Sequence, residues 1–283
     1  RTPVKRRYTS QIAALDAKQD CQEIVFLLTC YEFPWDIERA LEFALFRTFA
    51  VPSISGLLNE TGEFLNRPRK RYDDTELILA EILENGFDSA RGRAAFTRMN
   101  QMHGRISIAN EDLLYVLSTF VFEPIRWIDR FGWRTLTEHE KLASFHYFRE
   151  LGGRMHIRDI PKEMPELERY NRDYEARRFR YAETNERIAS VTRDMLLGFY
   201  LPRLLIPVGR PIVHTLLDAP LAEAMGFSQP STALRRIARG ALKLRARIAK
   251  QLPDRQRPHL LTRVKRATYP EGYKIRELGT FPE

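Results

Sequence analysis

Residues 96–118 read FTRMNQMHGRISIANEDLLYVLS, and the division of this stretch decides the fold. Ala95, Met99 and His103 stand at i, i+4 and i+8, so a helix from Asp88 to Gly104 places the imidazole on one face with small and apolar side chains. Asp88 or Ser89 is placed to cap that helix. After the polar break, Asn110, Glu111 and Asp112 open a second helix, Leu113 to Arg130, which Pro124 is expected to interrupt. Its content of Leu114, Tyr115, Leu117, Phe120, Val121, Ile125, Trp127 and Ile128 is too apolar for an exposed helix and marks it as the central one. His103 is then either a core histidine with its ring nitrogens satisfied by neighbours or a ligand facing a pocket. Spacing alone favours the former, because a buried imidazole needs only a modest shift to stay neutral.

Working outward, the same helical rhythm continues. Arg1 to Tyr8 reads as a basic arm. Ser10 to Thr29 reads as a helix with Ile24, Leu27 and Leu28 on one side, ended by Pro34. Asp36 to Phe49 repeats apolar side chains at Ile37, Leu41, Ala44 and Leu45. NRPRKR at 66–71 is charged and holds a proline, the signature of a solvent loop. Asp73 and Glu76 then resemble a capping box opening a helix that stops at Asn85 and Gly86. Thr137 with Glu140 is a second box, and Gly152 and Gly153 are expected to end its helix. Charge-dense helix follows over Pro161 to Arg193. Met195 to Pro211, with three prolines, reads as a crossing segment or pocket wall. Ser231 to Leu252 is a basic amphipathic helix, and residues 253–283 form an irregular tail. No repeat and no long linker divides the 283 residues, which predicts one large all-α domain.

Composition narrows the function classes. The net charge of +9 favours anionic company: haem propionates, anionic lipid head groups or nucleic acid. Cys21 and Cys30 offer neither a CxxC nor a disulfide framework, which points to a reducing, cytoplasmic setting. No run of 18 apolar residues argues for a spanning helix. There is no HExxH, no P-loop and no GxGxxG. On the C-terminal basic helix, Arg235, Arg236, Arg239, Lys243, Arg247 and Lys250 spread over more than one side. A solvated face is the default there, peripheral docking on an anionic membrane the sharper option, and nucleic acid unlikely for want of interleaved aromatics.

The motifs RYDDT at 71–75, GRAAFTRMNQMHGRISIANEDLLYVLSTFVFEPIRWI at 92–128, GWRTLTEHEK at 132–141 and YPEGY at 269–273 together resemble the MpaB-like and rubber-oxygenase (latex clearing protein) family. The resemblance implies an all-helical protein with a globin-like core, holding b-type haem through an axial histidine and using dioxygen on carbon–carbon double bonds of apolar, isoprenoid-type substrates. It implies His103 as the iron ligand. Arg71 and Thr75 match the family's distal arginine and threonine, four apart; between them, where the rubber oxygenases have a lysine able to occupy the sixth position, this chain has Asp74. Glu60 or Glu63 is the candidate distal base. Arg98 and Arg105 flank the histidine and are candidates to pair with haem propionates, although the rubber oxygenases carry their arginines where this chain has Asn100 and Ser107.

Two function classes follow. One is a haem b oxygenase or oxidase. The other is a non-catalytic helical module that binds anionic lipid or nucleic acid through its basic surface.

Overall fold

The computed structural model describes residues 7–280, so most of the expected basic arm and the last three residues of the tail lie outside the described residues. The chain is all-α, about 71% helical, and among the described residues no strand occurs. The first helical stretch is not continuous. It divides into α1 (Arg7–Ala13) and α2 (Cys21–Leu27), because Asp16 turns its carboxylate back onto the amides of Lys18 and Gln19. A π-helical turn, Leu28–Glu32, leads into α3 (Pro34–Phe49), which starts with proline at a position where the missing N–H leaves no bond unmade. Two shorter helices follow, α4 (Pro52–Thr61) and α5 (Glu63–Asn66), joined by Gly62 in the left-handed region.

The NRPRKR loop is a correction: Pro68 is the first residue of α6 (Pro68–Asn85), and Arg71 stands inside that helix. Asp73 is no cap either. It is buried, accepting from Arg69, Arg266 and Thr268. Gly86, with φ near +90°, turns the chain into α7 (Ala90–Gly104), whose N-cap Ser89 accepts from the Gly92 amide at 2.8 Å. A Cβ on Gly92 would stand 1.9 Å from the Gly86 carbonyl oxygen, so the tightness of this hairpin requires glycine there.

α8 (Asn110–Phe131) is the central helix and runs unbroken through Pro124. It packs along α3 and against α9 (Glu138–Arg154). The Thr137–Glu140 capping box is formed, but α9 continues past Gly152 and Gly153. Gly152 lets α8 approach: a Cβ there would lie 2.5 Å from Leu117. Next come α10 (Met164–Arg178) and α11 (Glu183–Leu197). The proline-rich segment forms a short 3-10 turn and α12 (Ile206–His214), then α13 (Ala219–Ala224). α14 (Thr232–Gln251) is capped by Ser231.

The tail has only short 3-10 turns, as expected, yet it is pinned to the body. Arg266 is buried against Asp73 and Glu76, Tyr269 donates to Asp74, and Tyr273 donates to Glu81 at 2.6 Å.

Candidate functional site

The α6–α7 hairpin explains how residues 32 positions apart share one site. Arg71 lies about 21 Å along α6 from Asn85, and His103 about 20 Å along α7 from Ala90, at 1.5 Å per residue. Two antiparallel helices joined by a four-residue turn therefore bring both side chains to the same level. They face one cavity, of about 230 Å³, with Thr75 one helical turn from Arg71. The walls are apolar side chains of α3, α4, α7 and α8, among them Phe49, Leu58, Met99 and Val116. Gly279 and Thr280 of the tail complete them.

Two polar groups in this wall are unusual in what they lack, and Thr75 stands beside them. Neither ring nitrogen of His103 has a hydrogen-bond partner among the described residues. Burial, with help from the Arg71 charge, pushes its pKa down to about 4, so the ring is neutral at pH 7 with a nitrogen lone pair available. The expectation of a core histidine satisfied by its neighbours does not hold. Arg71 has no carboxylate within ion-pair distance among the described residues. Its guanidinium donates to the Thr75 hydroxyl and stacks 5.0 Å from the Phe64 ring centroid. Burial lowers its pKa against the distant pull of Asp74 and Glu63. Thr75 also donates to the Arg71 carbonyl at 3.1 Å, which fixes its hydroxyl on the cavity side of the helix. A buried cation without an anion is expensive, and it persists where an anionic or polar ligand completes it.

The other candidates fall elsewhere. Glu60 is exposed and outside the cavity wall. Glu63 pairs with Arg67 at 2.6 Å and acts on Arg71 only through its charge. Arg98 is buried but donates to the carbonyls of Leu278 (2.7 Å) and Thr280 (3.0 Å), so it fastens the tail over the site and does not line it. Arg105 is exposed at the end of α7. Asp74, at the position of the family's lysine, is a satisfied carboxylate held by Lys70 at 2.6 Å and by Tyr269.

The sequence reading missed a second cavity of about 110 Å³, separated from the first by Leu45, Thr75, Leu79, Phe120 and Leu151, which line both. Its wall carries Glu42, whose pKa burial raises to about 8 despite the Arg39 charge, and Tyr72, which donates to Glu42 at 3.2 Å. Glu42 stands one position after Leu41 in the apolar rhythm of α3, and an acid beside that core-facing stripe was the available signal.

Could the site hold the cofactor that the resemblance implies? Among the described residues no three His, Cys, Asp or Glu side chains converge as a metal-ligand set. A haem asks for one protein ligand, apolar faces and a cation, and this cavity presents an unpartnered imidazole, apolar walls and an unpaired guanidinium. The residues fit the group.

Fold and cavity thus define a helical domain built around a largely apolar cavity with an unpartnered imidazole in its wall. The family model described as ER-bound oxygenase mpaB/B'/Rubber oxygenase, catalytic domain, matches residues 40–248. The chain is 32% identical over 219 residues to ER-bound oxygenase mpaB' of Penicillium brevicompactum, a match covering 71% of this chain and 51% of that protein. It is 32% identical over 213 residues to ER-bound oxygenase mpaB of Penicillium roqueforti (strain FM164), covering 69% and 71%. The chain belongs to the mpaB/rubber oxygenase catalytic-domain family. The match spans about half the length of the Penicillium brevicompactum relative. Among the described residues no single helix is long and apolar enough to cross a membrane.

Proposed function

We propose that the protein is a haem b oxygenase acting with dioxygen on an apolar, alkene-containing substrate, with His103 as the side chain that would hold the iron. Haem, when bound, supplies the oxygen activation that no protein side chain provides. His103 contributes a neutral nitrogen donor, kept unprotonated by its buried position. Arg71 holds a positive charge against the cavity and stabilises negative charge developing on oxygen or carried by a propionate. Thr75, clamped between the Arg71 guanidinium and carbonyl, directs its hydroxyl toward the same space. The apolar walls exclude water and admit a hydrocarbon chain. Glu42, whose pKa burial raises although Arg39 pairs with it at 2.8 Å, stands beside the second cavity, on the far side of the Thr75 wall.

The single observation that carries this reading is the half-buried His103 ring, set in a largely apolar wall with both nitrogens unpartnered, beside Arg71, which has no carboxylate within ion-pair distance among the described residues. The test is the absorption spectrum of protein produced with adequate iron, repeated with His103→Ala. A Soret band is expected, with haem retention weakened by more than about 100-fold in the variant, beyond the usual loss on removing an outer-shell partner. A colourless protein that also ignores added haemin overturns the proposal.

A further inference from the structure

The periodicity of α14 suggests an inward apolar face, but the structure turns much of that face outward. Ile237, Ala241, Leu244 and Ile248 fall within one narrow stripe, and all four are exposed, Ile237 at 69%. The side that meets the body is made by Leu242, Ala246 and Arg245. The last donates to Asp36 at 2.7 Å and stacks 3.9 Å over Trp35. The neighbouring α12, which packs beside α14, repeats the pattern. Leu204, Val208 and Ile212 follow at intervals of four and are exposed, Leu204 at 90%. Large aliphatic side chains concentrated on two adjacent helices are not the scattered apolar residues of an ordinary surface.

Charge identifies what covers them. Residues 232–251 hold seven basic side chains and no acidic one. Arg236, Lys243 and Arg247 run along the flank of the stripe and have no ion pair among the described residues. An aliphatic stripe bordered by a basic row along one helix matches the boundary between acyl chains and anionic head groups. A second copy of this face would bring two such basic rows together without counter-charge, which disfavours self-association.

The position of this surface adds a second argument. Tyr200, exposed just before α12, hydrogen-bonds Arg39, and Arg39 pairs at 2.5 Å with Glu38, which lines the second cavity. Two side-chain contacts therefore link the start of the exposed apolar segment to a wall residue of the second cavity.

We infer that the α12–α14 face is a peripheral docking site for an anionic bilayer surface, with the stripe seated among acyl chains and the basic row on lipid phosphates. This holds the second cavity beside the phase in which apolar substrates dissolve. The inference stands apart from the haem reading and is tested without activity. The unaltered chain is floated with phosphatidylcholine vesicles and with mixed phosphatidylcholine–phosphatidylserine vesicles. Association with the mixed vesicles, weak association with the neutral ones, and weakening by salt are expected. Arg236→Gln/Lys243→Gln/Arg247→Gln is expected to weaken partitioning roughly a hundredfold, at about fivefold per basic side chain. Ile237→Ser/Ile248→Ser is expected to abolish the salt-resistant part, while both variants keep the helical content and any haem of the parent. Three results overturn the inference: no flotation of the unaltered chain, variants that float like the parent, or a dimer dispersed by Ile237→Ser/Ile248→Ser with no vesicle binding.

Discussion

Two arginines, Arg47 on α3 and Arg71 on α6, show how differently this chain treats charge. Arg47, on α3, is surrounded: Glu175 and Asp218 lie at 2.6 Å, Glu123 at 3.4 Å, and Phe179 covers its face. Arg71, on α6, meets one hydroxyl and one ring. The histidines repeat the contrast. His214 is stacked on Phe227 with both nitrogens engaged, by Arg193 at 3.1 Å and the Ser228 carbonyl at 3.2 Å. His103 has neither partner. Arg47 and His214 are satisfied within the chain, whereas Arg71 has no carboxylate partner and His103 no hydrogen-bond partner among the described residues.

The contrast can be broken most directly at the arginines. Arg47→Ala leaves three carboxylates facing one another and is expected to cost about 3–5 kcal/mol in urea unfolding. Arg71→Ala in haem-free protein is expected to change stability by less than about 1 kcal/mol, since it removes a charge that has no partner. Equal losses in the two variants would end the comparison.

The histidines sharpen it at smaller scale. His214→Ala is expected to cost about 1–3 kcal/mol, because the Arg193 and Ser228 groups it satisfies are stranded. His103→Ala, which strands nothing, is expected to cost less in the same haem-free protein, measured by the same denaturation curve.

Two pH effects, opposite in sign, sharpen the comparison further. The unfolded chain takes up a proton on His103 near pH 6.5, whereas the folded chain does so only near 4. The unfolded state therefore binds more protons between those values, and stability falls as pH drops through the window. His103→Gln should flatten that fall. His214, also lowered by burial, contributes with the same sign and remains in the variant. Glu42 acts the other way: the folded state keeps its proton up to about 8 while the unfolded chain releases it near 4.5, so stability declines as pH rises between them. Glu42→Gln should remove that decline, and an unchanged pH profile would show that the carboxyl is already ionised.

Much of this architecture was legible where the signal is local. The caps at Ser89 and Thr137 each pair one side chain with an amide three residues on, and both formed. The stretch at 66–71 misled because dense charge looks solvated, whereas Arg69 and Lys70 pair forward with Asp73 and Asp74 along one helix face and Pro68 is an acceptable first helical residue. The face of α14 could be recognised as apolar from its spacing, but spacing does not say whether anything covers it. Of the site, His103, Arg71 and Thr75 were brought together as the resemblance implied. The part played by Arg98 was not legible, because it recognises backbone carbonyls, which leave no trace in side-chain pattern.

That arginine sets an order of events. Arg98 and the Leu278 carbonyl it holds are 180 residues apart in sequence. Gly279, at φ +85° with Met102 pressed where a Cβ would be, closes the same wall. During synthesis at about 5–20 residues per second, the α6–α7 hairpin emerges many seconds before its closing segment.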